Sequence, residues 1–132
     1  MKKINKVIKS IDNITPFEVE EYCIHHSSDE NPILAEIYRQ THLTQVSPRM
    51  ASGNIQGQFL QLLCKLFRPK NVLEIGTYTG YAAIAIALAI PEDAKITTIE
   101  INPELEDFVR GYIQKAQLEH KIDFKIGDAM DF

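Results

Sequence analysis

Cysteine is scarce: Cys23 and Cys64 are the only two in 132 residues. A disulfide framework needs more thiols and an oxidising compartment, so both read as reduced thiols packed in apolar helical patterns. Long hydrophobic runs are missing too. The longest apolar stretch, Tyr81 to Ile90, is too short to span a bilayer, which argues against a membrane partner. No apolar segment follows the basic start, Met1 to Lys9, so no secretory signal is read and a cytoplasmic protein is expected. Positive charge is not in excess: 14 Lys and Arg stand against 18 Asp and Glu, a net charge of -4. That excludes whole-surface attraction to nucleic acid, and the basic run at 1–9 reads as a solvated or frayed terminus. Repeats and low-complexity tracts are also missing. What remains, 45% hydrophobic and 24% charged, suits one compact domain.

The chain changes character near Asn71. Before it, every pattern is helical. Thr15-Pro16-Phe17-Glu18 reads as a capping box with proline at the first helical position, predicting a helix to about His25. Asn31-Pro32 starts a second helix with the stripe Ile33, Leu34, Ile37 and Tyr38. A third runs from Asn54 to Phe67, with Ile55, Phe59, Leu62, Leu63 and Leu66 at helical spacing and Pro69 as its stop. After Asn71, strands and helices alternate. Asn71 to Ile75 suits a buried strand, Tyr81 to Ala89 a helix, and Lys95 to Ile101 a β-branched strand. Asn102-Pro103 opens a helix to about Gln117, and Lys121 to Ile126 alternates as a third strand. Right-handed crossovers make this β-α-β-α-β run a parallel α/β sheet in the order third, second, first, with helices on its faces. Residues 1–70 are thus a helical segment and 71–132 the first half of a Rossmann-like unit, one structural domain overall.

The chemistry concentrates where the strands end. Two glycines, Gly76 and Gly80, sit between the first strand and its helix, where they permit a tight turn and close ligand approach beside a helix N-terminus. The dinucleotide fingerprint Gly-x-Gly-x-x-Gly fails because Tyr78 stands at its second glycine, and no Walker Gly-Lys-Ser/Thr is present. Glu74, at the end of the same strand, repels a phosphate and attracts an ammonium group. A zwitterionic amino-acid ligand therefore fits better than a nucleotide phosphate. Glu100 ends the second strand 24 residues after Gly76, near the spacing at which an acid reaches ribose hydroxyls. Asp128 ends the third beside Gly127, placed to accept from an exocyclic adenine amine. Each has a plainer reading: Glu74 as a satisfied structural acid, Glu100 as a helix cap, Asp128 as a turn residue. The histidines give no metal spacing: His25 and His26 are adjacent on a helix, and His42 and His120 are isolated.

On these residues the chain resembles the S-adenosylmethionine-dependent O-methyltransferases of the catechol and caffeoyl-CoA type. Glu74-x-Gly76-Thr77-Tyr78-Thr79-Gly80-Tyr81 is similar to their first cofactor motif, and Met50 to Gly53, Gly57 to Leu60, Glu100 and Gly127 to Ala129 extend the likeness from about Met50 to Phe132. The resemblance implies a Rossmann-like class I methyltransferase with the C-terminal half of the sheet absent. It implies that Met50 and Ser52 line the methionine end of the cofactor, that Glu74 faces its amino group, and that Gly76, Thr77 and Tyr78 wrap it up to Gly80. Glu100 would hold the ribose, Ile101 and Ala129 sandwich the adenine, and Asp128 face its amine. Ala82 occupies a cofactor position where many relatives carry Ser or Thr, so one hydroxyl contact is lost. The larger departure is the end of the chain at Phe132. Family members continue with four more strands that supply the divalent-metal ligands (magnesium, for instance), the catalytic base region and most of the small-molecule acceptor pocket. Catalytic residues are accordingly expected beyond Phe132, and no turnover is expected of these 132 residues alone. The first strand, left without a fourth neighbour, should make the chain self-associate or swap elements. The alternatives are a cofactor-binding fragment without catalysis, a nucleic-acid methyltransferase on the same fold and, further off, a nicotinamide dehydrogenase.

Overall fold

The computed structural model describes residues 15–132; the basic run at 1–9 lies outside the described residues. Three helices come first: α1 (Phe17–His25), α2 (Pro32–Thr44) and α3 (Gly53–Phe67). Then β1 (Asn71–Ile75), α4 (Tyr81–Ala87), β2 (Lys95–Glu100), α5 (Glu106–Lys115) and β3 (Ile122–Ile126) alternate. Single 3-10 turns lie at Pro48–Met50, Pro103–Leu105 and Ala129–Asp131. Local signals account for several boundaries. Asn31 Oδ1 accepts the Ile33 N–H at 3.0 Å, Asn102 Oδ1 accepts the Glu104 N–H at 3.0 Å, and Arg68 in the left-handed region ends α3 just before Pro69.

The strands are parallel in the order β1-β2-β3, as expected, with Glu74 level with Thr98 and Glu100 level with Ile126. Both crossovers travel the same way along the sheet, so α4 and α5 cover one face rather than both. The core takes its sheet residues from that face: Val72, Ile96, Ile122, Phe124 and Ile126 pack with Ile84, Val109 and Ile113. Leu34 and Ile37 of α2 and Cys64 of α3 join the same cluster. The other face carries Leu73 and Ile75, 64% and 69% exposed, so β1 is not the buried strand expected. With one neighbouring strand and one helical layer among the described residues, it alternates between covered and open.

Four other expectations change. The capping box at Thr15 does not form: Pro16 itself is the cap residue of α1 and no side chain bonds there. On α3 the expected apolar stripe turns outward, with Phe59, Leu62 and Leu66 all more than half exposed. The apolar arc of this helix is broad, interrupted mainly by Asn54, Gln58, Gln61 and Lys65, and the part of it that packs is the side with Gly57 and Cys64, which lets α4 approach closely. The helices after Tyr81 and Pro103 are shorter than read, the second beginning as a 3-10 turn. Both cysteines are free, but only Cys64 is buried, where desolvation pushes its thiol up; half-buried Cys23 lies on the rim of a groove between α1 and α3.

Candidate functional site

The C-terminal ends of the three strands meet a turn whose backbone is unusual. Gly76 and Gly80 take φ of 92° and 83°, and Tyr78 between them takes 51°, a left-handed conformation that costs a residue with a Cβ about 1 kcal/mol. The fingerprint's missing glycine is therefore missing in residue type only. Two bonds hold Tyr78 in place: its N–H donates to Glu100 Oε2 at 2.7 Å, and its O–H donates to the Ser47 carbonyl at 3.0 Å. The N–H groups of Gly76 and Thr77 both donate to the Ile99 carbonyl, at 2.9 and 3.2 Å. A turn whose first three N–H groups are engaged inside the protein has none of them to give a phosphate. Beside Gly76 the space is open, since an added Cβ would meet no atom within 4 Å.

Glu74 and Glu100 lie on the same face of neighbouring strands. Thr77 Oγ1 and Thr98 Oγ1 are 2.5 Å apart, and the Thr98 hydroxyl donates to Glu74 Oε2 at 2.5 Å. Since Thr98 has one proton to give, the chain runs Thr77 to Thr98 to Glu74. Desolvation pushes the Glu74 carboxyl up to about 7; the Thr98 bond opposes this, and the charge of Glu100 adds to it. Glu100 is buried at 7% exposure, and its other oxygen accepts the Asn102 N–H at 2.9 Å. The helix-cap reading thus belongs to Asn102, and Glu100 ties the glycine turn to the end of β2. Gly127 joins this rim by donating to the Glu100 carbonyl at 2.9 Å. Asp128 is exposed and accepts the Met130 N–H at 2.9 Å, so it does serve the turn, with one oxygen still to offer.

The remaining residues are held less closely. Met50 is 67% exposed at the end of its 3-10 turn, tied to the site through the Ser47–Tyr78 bond. Ser52 and Ala82 are half-buried, and Ile101 is 69% exposed. Ala129 lines a groove of about 360 Å³ on the open sheet face with Leu73, Ile75, Ile99 and Phe132. Thr98 was missed in the sequence. Its signal was there: it stands two residues before Glu100, hence on the same face.

The model of the O-methyltransferase family matches residues 24–132. The chain belongs to the O-methyltransferase family. Caffeoyl-CoA O-methyltransferase 2 of Populus trichocarpa is 52% identical over 81 residues, 61% of this chain and 33% of that protein. Caffeoyl-CoA O-methyltransferase of Medicago sativa is 49% identical over 81 residues, again 61% of this chain and 33% of its own length. Among solved structures, the O-methyltransferase TomG from Streptomyces achromogenes, in complex with SAM, aligns with a TM-score of 0.78 and 30% identity, over 86% of this chain and 51% of that one. The SAH-bound methyltransferase PaMTH1 of Podospora anserina aligns with a TM-score of 0.80 and 27% identity, over 89% and 53%. The chain therefore spans about a third of these curated relatives and half of these structures.

In this family member Gly57 has a steric task. An added Cβ would lie 2.8 Å from Tyr81 Cε1, inside any real contact. Gly57→Ala is expected to lower stability by about 1–3 kcal/mol through overpacking, read as an earlier urea midpoint at unchanged slope. Among the described residues no three His, Cys, Asp or Glu side chains gather to hold a metal, and none of the described helices is long and apolar enough to cross a membrane.

Proposed function

We propose that this chain binds S-adenosylmethionine at the strand rim and forms the cofactor-binding part of an O-methyltransferase that methylates a hydroxyl of a small aromatic acceptor, catechol- or caffeoyl-CoA-like. The observation that carries the reading is the pair of acids beside an open glycine turn with engaged N–H groups. Glu74 has a hydroxyl and a like charge as neighbours, so a ligand cation completes its electrostatics. When bound, the cofactor supplies a methyl group made electrophilic by a sulfonium centre. Glu74 holds its ammonium group. Glu100 accepts from the ribose diol with the lone pairs its backbone partners leave over. Asp128 accepts from the adenine amine between Ile101 and Ala129, while Met50, Ser52 and Ala82 border the methionine end. Holding the methyl carbon in line for attack is the contribution of this part of the protein.

Calorimetric titration with S-adenosylhomocysteine tests the reading. One site per chain is expected, with affinity about tenfold weaker at pH 6 than at pH 8 because Glu74 must lose its proton to pair with the ammonium group. Failure to bind at millimolar ligand removes it. A second reading is binding without turnover. It predicts the same titration and no methyl transfer to a caffeoyl-CoA-like acceptor.

Among the described residues β1 pairs with β2 alone and leaves Leu73 and Ile75 exposed, which supports self-association as part of this proposal. Light scattering should give a mass above 15.0 kDa that rises with concentration, and Leu73→Lys should lower it towards that value. A sharp monomer at all concentrations contradicts it.

A further inference from the structure

The start of α4 is fastened to the N-terminal helices by contacts that the cofactor contacts above do not include. Tyr81 follows Gly80 directly and is 2% exposed. Its ring fills the site left by the missing side chain of Gly57 on α3 and meets Tyr38 of α2 edge-on, with centroids 6.2 Å apart. Its O–H donates to Glu30 Oε1 at 2.5 Å, although Glu30 lies 51 residues earlier in the loop between α1 and α2. That loop is itself clamped: Gln58 Oε1 accepts the Ser28 N–H at 3.2 Å, and Gln58 Nε2 donates to the Ser28 carbonyl and to Asn54 Oδ1. Gly57 and Gln58 thus serve one assembly, the first by admitting the ring and the second by holding the loop that carries its acceptor. Nearby, the hydroxyls of Thr41 and Thr79 meet at 2.9 Å, joining α2 to the same turn.

We propose that Glu30 and Tyr81 are positioning residues for the cofactor turn: their hydrogen bond, seated on Gly57 and held by Gln58, fixes where Gly76 to Gly80 lie. The inference rests on the cofactor reading for its functional meaning and on geometry alone for the turn. Holding a turn in its binding shape before the ligand arrives removes an ordering step from binding. Tyr81→Phe keeps the ring and loses only the O–H.

The test compares Tyr81→Phe, Glu30→Ala, their double variant and Glu30→Gln with the parent chain. Ile113→Ala serves as a control that weakens the α5 core away from the turn. Two readouts are taken: affinity for S-adenosylhomocysteine, and local amide exchange at Tyr78 and Gly80. Tyr81→Phe and Glu30→Ala should each weaken affinity about fivefold and speed exchange at both amides by a similar factor. The double variant should add nothing further, Glu30→Gln should recover most of the loss because it keeps an acceptor, and Ile113→Ala should leave both readouts unchanged despite a lower Tm. Unchanged turn exchange in Tyr81→Phe, or losses in Ile113→Ala that match it, overturns the positioning role. A parent chain that fails to bind while Tyr81→Phe still speeds turn exchange overturns the cofactor reading and supports the positioning of the turn.

Discussion

Glu74→Gln is expected to raise stability above neutral pH and to weaken cofactor binding at once. The folded chain moves the Glu74 carboxyl from an ordinary 4.5 to about 7. Its favourable contribution is therefore fully present below pH 4.5, is lost as pH rises towards 7, and stays lost above, where ionisation opposes folding by up to about 3 kcal/mol. A neutral amide escapes that penalty and still accepts the Thr98 hydroxyl. Denaturation at pH 8 should show a gain of about 1–3 kcal/mol, vanishing near pH 4. The same substitution leaves a ligand ammonium without its counter-charge, weakening S-adenosylhomocysteine by about ten- to a hundredfold. Opposite signs in the two measurements mark a group kept for a ligand at the expense of the fold. Loss of stability at pH 8, or unaltered binding, would sink this account of Glu74.

Glu100→Ala should lower both. Its two oxygens accept N–H groups from Tyr78 and Asn102 inside the protein, so truncation leaves two donors to find water in a site where Glu100 is only 7% exposed. The expected loss is about 2–4 kcal/mol, a fall in Tm of roughly 10 °C. Tyr78 loses the bond that holds its left-handed backbone, so binding should fall beyond detection. Glu100→Gln, with one acceptor left, should lie between. Thermal unfolding of the three chains decides: if alanine is as stable as the parent, Glu100 does not tie the turn to β2.

Much of this was legible along the chain because the signals are local. β-branched runs, the Asn-Pro starts and the Gly76–Gly80 turn each occupy a few residues, and strand order follows from the handedness of crossovers. The three strand-end acids were legible for the same reason, since a residue's place at a strand end needs no partner. What escaped depends on distant neighbours. The outward turn of Phe59 and Leu62 could not be read from α3, whose apolar arc is wider than the surface it buries, because the ring of Tyr81 seats on Gly57 and so decides which part packs. The hydroxyl chain from Thr77 through Thr98 to Glu74 needs the β1–β2 register. Glu30 is an ordinary loop acid until the fold brings Tyr81 to it.

Amide-resolved NMR titration of this chain with S-adenosylhomocysteine tests the central claim most directly. Saturable shifts should cluster at Glu74 to Gly80, Glu100 to Asn102 and Gly127 to Ala129, with little change in α1. Shifts confined to the groove between α1 and α3, or none at millimolar ligand, would contradict it.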